Sequence, residues 1–407
     1  MTTNKPRVLI FVPEFPVLSE TFISREIEVL IARDNLDILV LSLKKGTGAM
    51  SDSLSRRVSY IKLGIVDVVF GLIRAFINFP RAFAAYEIIL ANTNRNFLQN
   101  LYLFIKSVGF ARIVKRYHPS RLHCHFLSEP STIGLLVSVL EDIPLSLSGH
   151  ARDVFGRASQ KSLNPELLDK KIARADFTAI CNKKAFDVCS KISPDKVVLI
   201  YHGVNFSEIK RDSVEQLTEP AVPTVVSIGR LEEKKGLTYL IEASAILKQR
   251  SIIHKVTIIG PGSKYSEYLE LIKNAGLQGI VEILGEGHGL PNKEALSYLA
   301  NATVFVLPSL ETKEKDAEGI PNALIEASAL QVPVIATSTG SIQEAFKDGI
   351  NSLIVPPQNS QALADSIEKM ILNRSLRETL SKKANAELRL KFNLDENVIK
   401  LESYLLK

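Results

Sequence analysis

The chain has 407 residues, of which 46% are apolar and 23% are charged, and this composition excludes collagen, coiled coil and disorder. Its length favours two domains of roughly 200 residues each. Three scattered cysteines are too few for a disulfide framework, which indicates a reducing compartment, and no CxxC pair suggests a zinc site. The short apolar run at the N-terminus predicts a first β-strand rather than a signal peptide.

The formal net charge of +6 is unevenly distributed. Residues 1–210 hold 28 Lys and Arg against 19 Asp and Glu, or +9, whereas the remainder holds 22 against 25, or −3. A basic half suits a polyanion or an anionic membrane. Because no recognised nucleic-acid motif accompanies the basic residues, the sequence does not predict nucleic-acid binding.

Short β-branched runs alternate with segments of helical spacing along the whole chain. The predicted strands are, in order, Arg7–Val12, Asp37–Ser42, Leu122–Phe126, Leu145–Ser148, Phe177–Ile180, Val197–Tyr201, Thr224–Ile228, Lys255–Ile259, Val281–Leu284, Thr303–Leu307, Val334–Ala336 and Leu353–Val355. Predicted helices between them include Thr21–Ala32, Ser131–Leu140, Leu237–Lys248 and Ser360–Leu372. This alternation predicts an α/β fold of parallel sheets covered by helices on both faces.

A polar, Pro-containing segment over 205–223 predicts a linker between two doubly wound, Rossmann-like domains. The first domain would span 1–204 and the second 205–391. Ligands of such sheets bind beyond the carboxyl ends of the strands. Two domains that face each other would therefore place the active site in the cleft between them.

The segment Ile65–Leu90 is apolar and aromatic, but charged residues interrupt it, so it should not span a bilayer. One interpretation is an amphipathic element on a membrane surface. Its cations and those nearby would then lie near lipid phosphates: Arg74, Arg81, Lys106, Lys115 and Arg116. The alternative is a pair of buried helices packed on the first sheet.

The strongest motif runs from Glu318 through EGIPNALIE to Glu326 and follows a predicted strand. Because proline is tolerated in a first helical turn, Pro321 predicts a helix start at or just after Glu318. Backbone N–H groups of Gly319 and Ile320 would then be free to bind a ligand. The two glutamates would lie about 12 Å apart along one helix. An ordinary amphipathic helix with two solvated glutamates is the alternative.

A second motif, SIGRLEEKKG, lies between a predicted strand and a predicted helix. Arg230 and Lys235 are five residues apart and could both reach one anion, such as a diphosphate. Glu232 and Glu233 beside them argue against a free phosphate site. A solvated basic loop remains the alternative.

The ordered motifs VSIGRLEEKKG, VTIIGPG, VEILGEG, VFVLPSL, EGIPNALIEA, PVIAT and DGINSLIVPP resemble the nucleotide-binding half of retaining glycosyltransferases of family 4, which have the GT-B fold. The likeness covers about 222–360. The N-terminal FPVLSETFISREIEVL, HCHF and SGHARDVF look like the exopolysaccharide branch, including colanic acid and amylovoran galactosyltransferases.

The resemblance implies roles for particular residues. Arg230 and Lys235 would neutralise the departing diphosphate, Glu318 would hold the donor sugar, and Glu326 would bind the ribose. His125 and His150 would reach the donor sugar from the N-terminal domain. The remaining donor-binding positions would be Gly229, Gly260, Gly262, Gly285, Gly319, Ile320 and Pro321. His123 and His125 share one face of a strand, but a core or ligand-contacting histidine is favoured over a metal ligand.

The implied reaction is transfer of a hexose from a nucleoside diphosphate sugar, with retention of anomeric configuration, to a lipid-linked or saccharide acceptor. The expected donor is UDP-galactose or UDP-glucose, with GDP-mannose as another possibility, and no metal or cofactor is expected. A nucleotide-sugar epimerase of the same fold and a non-catalytic binding protein are the rival functions. The expected location is the cytoplasm, with a peripheral position on the inner face of the plasma membrane. The segment 392–407 is expected to cross back to the first domain.

Overall fold

The computed structural model describes residues 5–17, 20–150, 153–154, 167–209, 222–313 and 318–407. The chain forms two compact units, of which the first contains residues 1–202 and 395–407 and the second contains 203–394. The predicted boundaries were 204/205 and 391/392. Most of the predicted linker, residues 210–221, lies outside the described residues.

The first unit is built on a parallel sheet with the strand order β3-β2-β1-β4-β5-β6-β7. Its strands are β1 (Arg7–Phe15), β2 (Asp37–Lys45), β3 (Val58–Tyr60), β4 (Arg121–His125), β5 (Leu145–Gly149), β6 (Phe177–Ile180) and β7 (Val197–Leu199). Its described helices are α1 (Thr21–Arg33), α2 (Asp52–Ser55), α3 (Ile65–Ile77), α4 (Phe79–Leu90), α5 (Phe97–Arg116), α6 (Glu129–Glu141), α7 (Leu168–Arg174), α8 (Lys183–Ser190) and the last helix of the chain, α15 (Leu394–Leu405).

The central strands of the first unit are apolar on both faces because helices cover the sheet on both sides. Leu9 and Phe11 of β1 are fully buried, and the Phe11 ring lies 4.6 Å from that of Phe110 in α5. Helix α5 begins with a reciprocal cap, in which Asn96 Oδ1 accepts from the Gln99 N–H and Gln99 Oε1 accepts from the Asn96 N–H.

The second unit is a smaller version of the same architecture, with the parallel strand order β10-β9-β8-β11-β12-β13. Its strands are β8 (Thr224–Ile228), β9 (Lys255–Ile259), β10 (Val281–Leu284), β11 (Val304–Leu307), β12 (Val334–Thr337) and β13 (Leu353–Val355). Its described helices are α9 (Leu237–Gln249), α10 (Tyr265–Asn274), α11 (Asn292–Ala300), α12 (Asn322–Ala329), α13 (Ser360–Leu372) and α14 (Arg374–Lys391). The predicted class, two doubly wound parallel-sheet domains, is confirmed.

Helices α3 and α4 do not form the buried pair that was one of the two predicted alternatives. Their axes bend by 110° at Asn78. Their large exposed apolar side chains are Ile65, Val66, Val69, Phe70, Leu72, Ile73, Phe76, Ile77, Phe79, Phe83 and Leu90. We call this set the apolar face. No single described helix has the length and hydropathy to cross a bilayer, although this bent pair meets both criteria together.

Each of the cations predicted to lie near lipid phosphates is paired with a carboxylate of the first unit. Arg74 donates through Nε and Nη2 to Glu141, at 2.6 and 2.8 Å. The other four pairs join Lys115 with Glu141, Arg81 with Asp142, Arg116 with Asp67 and Lys106 with Glu129. These cations are therefore charge-balanced by the protein, although the side chains of Lys115, Arg81 and Arg116 remain about half exposed.

Candidate functional site

The second unit places its two chemical motifs beside each other at the centre of its sheet. Strands β8 and β11 are neighbours, and the chain order reverses between them. Such a switch point leaves a crevice at the carboxyl ends of the two strands, where ligands of doubly wound sheets bind. Arg230 and Lys235 follow β8, and Glu318 follows β11.

Close backbone packing fixes the loops around this edge. The Leu231 N–H donates to the Pro261 carbonyl at 2.7 Å, and the Gly229 N–H donates to the Ile259 carbonyl at 3.0 Å. A Cβ on Gly260 would overlap the Gly229 carbonyl oxygen, and one on Gly262 would overlap that of Leu231. These glycines therefore allow two loops to lie backbone against backbone.

The third loop of this edge follows β10. Gly285 has a φ of +79°, and a Cβ there would overlap the backbone of Gly289. The Gly262 N–H donates to the Gly287 carbonyl at 3.0 Å. The structure thus brings the three predicted glycines, 260, 262 and 285, into adjoining loops at one edge of the sheet.

Lys235 is held by the short 3₁₀ turn Glu233–Lys235. Gly236 leaves this turn with a φ of +63°, and any Cβ there would overlap the Pro308 carbonyl oxygen. The Leu310 N–H donates to the Lys234 carbonyl at 2.8 Å. The loop after β8 is therefore anchored to the loop after β11, and the Lys235 side chain packs beneath Gly229.

Glu318 forms an ion pair with Lys235. Lys235 Nζ lies 2.9 Å from Glu318 Oε1, and Lys234 Nζ lies 4.0 Å from the same oxygen. Side chains of both partners in the closer pair are only about a tenth exposed. The Glu318 carbonyl accepts from the Ser341 N–H at 3.2 Å, so the loop after β12 fixes its position.

Opposing effects act on the Glu318 carboxyl. Burial raises its pKa, but Lys235, Lys234 and Arg230 together outweigh burial and hold the pKa below the usual value. Glu318 is therefore ionised at neutral pH. Arg230 is not free either, since its Nη1 lies 2.8 Å from Glu232 Oε1. The two predicted phosphate-binding cations each carry an internal carboxylate partner.

The helix after Glu318 begins later than predicted. Pro321 is the N-cap of α12, and the first helical residue is Asn322. Gly319 and Ile320 therefore precede the helix, and their N–H groups are not those of its first turn. Glu326 is buried within α12. The predicted 12 Å spacing along one continuous helix is wrong, because Glu318 lies in the connection before it.

The predicted histidines belong to the first unit, where they form part of a buried polar cluster. His123 is satisfied by Ser146 and Ser148, at 2.9 and 3.0 Å, and is a core residue. The His125 ring is fully buried, and within the described residues neither of its nitrogens has a hydrogen-bond partner. Its Nε2 lies 3.6 Å from Glu26 Oε1.

His150 contacts a residue that sequence reasoning did not single out. Its Nδ1 lies 2.9 Å from Nε2 of His202 and 3.8 Å from the Cys181 sulfur. Burial lowers the pKa of His202 to about 4 and raises that of Glu26 to about 8. Glu26, Cys181 and His202 are widely separated in sequence and stand in no common motif. Cys181 and His202 reach His150 because they lie at the same carboxyl edge of the sheet, and Glu26 reaches the cluster from α1.

Comparison with family models matches most of the second unit. The family model described as Glycosyl transferases group 1 matches residues 208–387. The chain is 35% identical over 172 residues to WcaL of Salmonella typhimurium, named for colanic acid biosynthesis, and 38% identical over 140 residues to the amylovoran biosynthesis glycosyltransferase AmsK of Erwinia amylovora. These matches cover 42% and 34% of this chain, and 41% and 34% of the relatives. The alignments thus span about two fifths and one third of the length of these relatives.

A third relative is named for its acceptor. It is a 4-alpha-N-acetylgalactosaminyltransferase of Campylobacter jejuni whose name includes a diphospho-undecaprenol-linked saccharide. It is 30% identical over 194 residues, or 47% of this chain and 49% of that protein.

Solved structures match nearly the whole chain. A glycosyltransferase from Rickettsia africae covers 98% of both chains, with a TM-score of 0.71 and 19% identity. HepE of Anabaena, solved with UDP and glucose, covers 98% of this chain and 99% of its own, with a TM-score of 0.69 and 16% identity. At these identities the likeness establishes the fold, which is GT-B.

Proposed function

We propose that this protein transfers a hexose from a nucleoside diphosphate sugar to an acceptor in exopolysaccharide or capsule synthesis, because residues 208–387 match the family model described as Glycosyl transferases group 1. The observation that carries the proposal is the buried contact between Lys235 and Glu318 at the switch point of the second sheet. A cation at this position can bind the diphosphate of a nucleotide sugar, and a carboxylate can accept hydrogen bonds from the hydroxyls of its sugar.

The proposed reaction retains the anomeric configuration and develops negative charge on the departing diphosphate. Lys235 and Arg230 would stabilise that charge, which is the role that preorganised cations play in a transition state. The Glu318 carboxylate would accept hydrogen bonds from hydroxyls of the donor sugar. Binding of the diphosphate would draw the Lys235 ammonium away from Glu318 and leave the carboxylate for the sugar.

The proposed donor is a UDP-hexose. The solved structure of HepE with UDP and glucose supports a uridine nucleotide. The proposed nucleotide-binding loops are those after β8, β9 and β10, which contain Gly229, Gly260, Gly262 and Gly285 and pack against one another. Glu326 is proposed to bind the ribose. We propose that no metal ion takes part in the transfer step, since Lys235 and Arg230 supply positive charge there.

Thermal denaturation with and without nucleotides tests the donor site. A ligand that binds only the native state stabilises it by about 2.7 kcal/mol at 100 times its Kd. We expect UDP and UDP-hexoses to raise the Tm, and GDP and ADP to raise it less. Lys235→Ala should reduce the response to UDP while leaving any response to uridine, which lacks the diphosphate.

Absence of stabilisation by any of these nucleotides would contradict the donor site. Product analysis separates the rival functions. Conversion of the donor sugar without an acceptor would point to an epimerase, and binding without turnover on any saccharide or lipid-linked acceptor would point to a binding protein.

The proposed acceptor is a saccharide carried on a lipid diphosphate, as in the name of the Campylobacter relative. The apolar face supports this choice. Every exposed large side chain of α3 is apolar, and its two charged residues, Asp67 and Arg74, are paired with partners in the same unit. We propose that this face inserts into the surface of the bilayer at the cytoplasmic side, with contact driven by apolar burial.

Flotation with lipid vesicles tests this contact. Because the nearby cations are already paired, wild-type protein should float with phosphatidylcholine vesicles and should still float at high salt. Phe76→Glu, at a side chain 81% exposed, should abolish flotation. Ile253→Glu, at an apolar side chain 73% exposed in the second unit, should float as the wild type does. Flotation only with anionic vesicles at low salt would overturn the apolar mechanism, and unchanged flotation of Phe76→Glu would exclude this face.

A further inference from the structure

Three neighbouring strands of the first unit each deliver a potential metal ligand at their carboxyl ends. His150 follows β5, Cys181 follows β6, and His202 lies three residues after β7. Because β5, β6 and β7 are adjacent and parallel, these residues meet at one edge of the sheet. One ligand atom of each lies within 4.8 Å of the other two.

The spacing of these atoms is close to that around a tetrahedral zinc ion. Zinc binds histidine nitrogen at about 2.0–2.1 Å and cysteine sulfur at about 2.3 Å, so two such ligands are roughly 3.4–3.6 Å apart. His150 Nδ1 lies 2.9 Å from His202 Nε2 and 3.8 Å from Cys181 Sγ. The distance between His150 and His202 would have to lengthen by about half an ångström, and the distance between His150 and Cys181 would have to shorten slightly, to reach these values.

The surroundings of the three ligands suit a metal ion. The Glu26 carboxyl group is buried, and its Oε2 lies 4.0 Å from the other ring nitrogen of His202, Nδ1, which is beyond hydrogen-bond distance. A carboxyl group behind a ligating imidazole orients the ring once the two come within hydrogen-bond distance. Within the described residues, Glu26 Oε1 and His150 Nε2 are buried without a hydrogen-bond partner. The cluster therefore contains buried polar atoms that have no hydrogen-bond partner among the described residues.

We propose that His150, Cys181 and His202 bind one zinc ion. Two imidazoles and a thiolate favour zinc over magnesium or calcium, which prefer oxygen ligands. Binding converts the Cys181 thiol to a thiolate and releases one proton to solvent. Coordination through Nδ1 would fix the His150 proton on Nε2 and make that atom a hydrogen-bond donor. His150 would then be a zinc ligand rather than the donor-sugar contact that the family resemblance implies, and zinc binding can be measured without sugar transfer.

Cobalt titration of the full chain, purified and stripped with a chelator, tests the proposal without any activity assay. We expect one Co²⁺ per chain, with a sulfur-to-cobalt charge-transfer absorption in the near ultraviolet, and displacement of Co²⁺ by Zn²⁺. Zinc should raise the Tm of the stripped protein, since it binds only the native state. Absence of the charge-transfer band in the folded wild type would overturn the proposal.

Variants of the cluster residues test where the metal binds. Cys181→Ser should abolish the charge-transfer band and weaken zinc binding by at least about 100-fold, and Glu26→Gln should weaken it by roughly 10-fold. Cys189→Ser is the matched control, because Cys189 is a free cysteine of the same unit that lies outside the cluster. It should keep the band. A band that survives Cys181→Ser, in protein shown by circular dichroism to be folded, would place the metal elsewhere. His202→Asn provides an independent variant if Cys181→Ser does not fold.

Discussion

Lys235→Ala should lower kcat/KM for sugar transfer by at least about 100-fold, with most of the loss in kcat. The reason is that Lys235 is the cation nearest the carboxylate at the switch point of the second sheet, where the charge on the departing diphosphate would develop. Steady-state kinetics with a UDP-hexose donor provide the measurement. Lys264→Ala is the control, since Lys264 follows the neighbouring strand β9 but is paired with Glu267 on the protein surface. Equal kinetics for Lys235→Ala and the wild type would refute the role of Lys235.

The same substitution should also reduce stability, because it leaves the Glu318 carboxylate buried beside only the more distant Lys234. We expect a loss of about 2–3 kcal/mol at pH 7. The pKa of Glu318 is lowered in the folded state, so this stabilisation is present above the ordinary value of 4.5 and is lost as the pH falls below it. Urea denaturation at pH 7 and pH 4 would measure the difference. The double variant Lys235→Ala, Glu318→Gln should recover most of the lost stability without recovering activity.

Gly340→Ala is expected to destabilise the protein by about 2–4 kcal/mol and to displace Glu318. Gly340 has a φ of +55°, which costs a non-glycine residue about 1 kcal/mol. A Cβ there would also overlap the Glu318 carbonyl oxygen, so the loops after β11 and β12 would have to separate. Urea denaturation would measure the loss of stability, and kinetics would measure the accompanying loss of activity.

Gly349→Ala isolates the backbone contribution. Gly349 has a similar φ of +67°, but an added Cβ would meet no described atom within 4 Å. It should therefore cost only about 1 kcal/mol and leave activity unchanged. Equal losses for the two variants would show that the contact with Glu318 has no special importance.

The sequence predicted the sheets well because their strands are buried on both faces and read as continuous apolar runs. Strand β3, Val58–Tyr60, was missed because it has only three residues and none is fully buried. The start of α12 was misplaced because a proline is compatible with both the N-cap and the first turn, and the sequence alone does not decide between them.

The candidate sites could be predicted only in part, because contacts between residues far apart in the sequence complete them. The motif around Arg230 and Lys235 correctly placed both cations at one strand end, yet spacing could not reveal that each is paired with a carboxylate. For α3, the apolar pattern was plain in the sequence. Contacts with Glu141 and with residues of α5, which lie far along the chain, determine which side of α3 packs against the protein.

Helix α15 gives the first unit a discontinuous chain. Its Glu402 is buried and pairs with Arg33 of α1 at 2.8 Å, and the ring of Tyr404 lies 5.2 Å from that of Phe177 in β6. During synthesis on the ribosome, the first unit emerges early but cannot bury these surfaces until the intervening unit, 203–394, has been translated. At cellular rates this delay is roughly 10–40 s. The nascent first unit therefore remains incomplete, with Arg33 and Phe177 lacking their partners, until α15 has been translated.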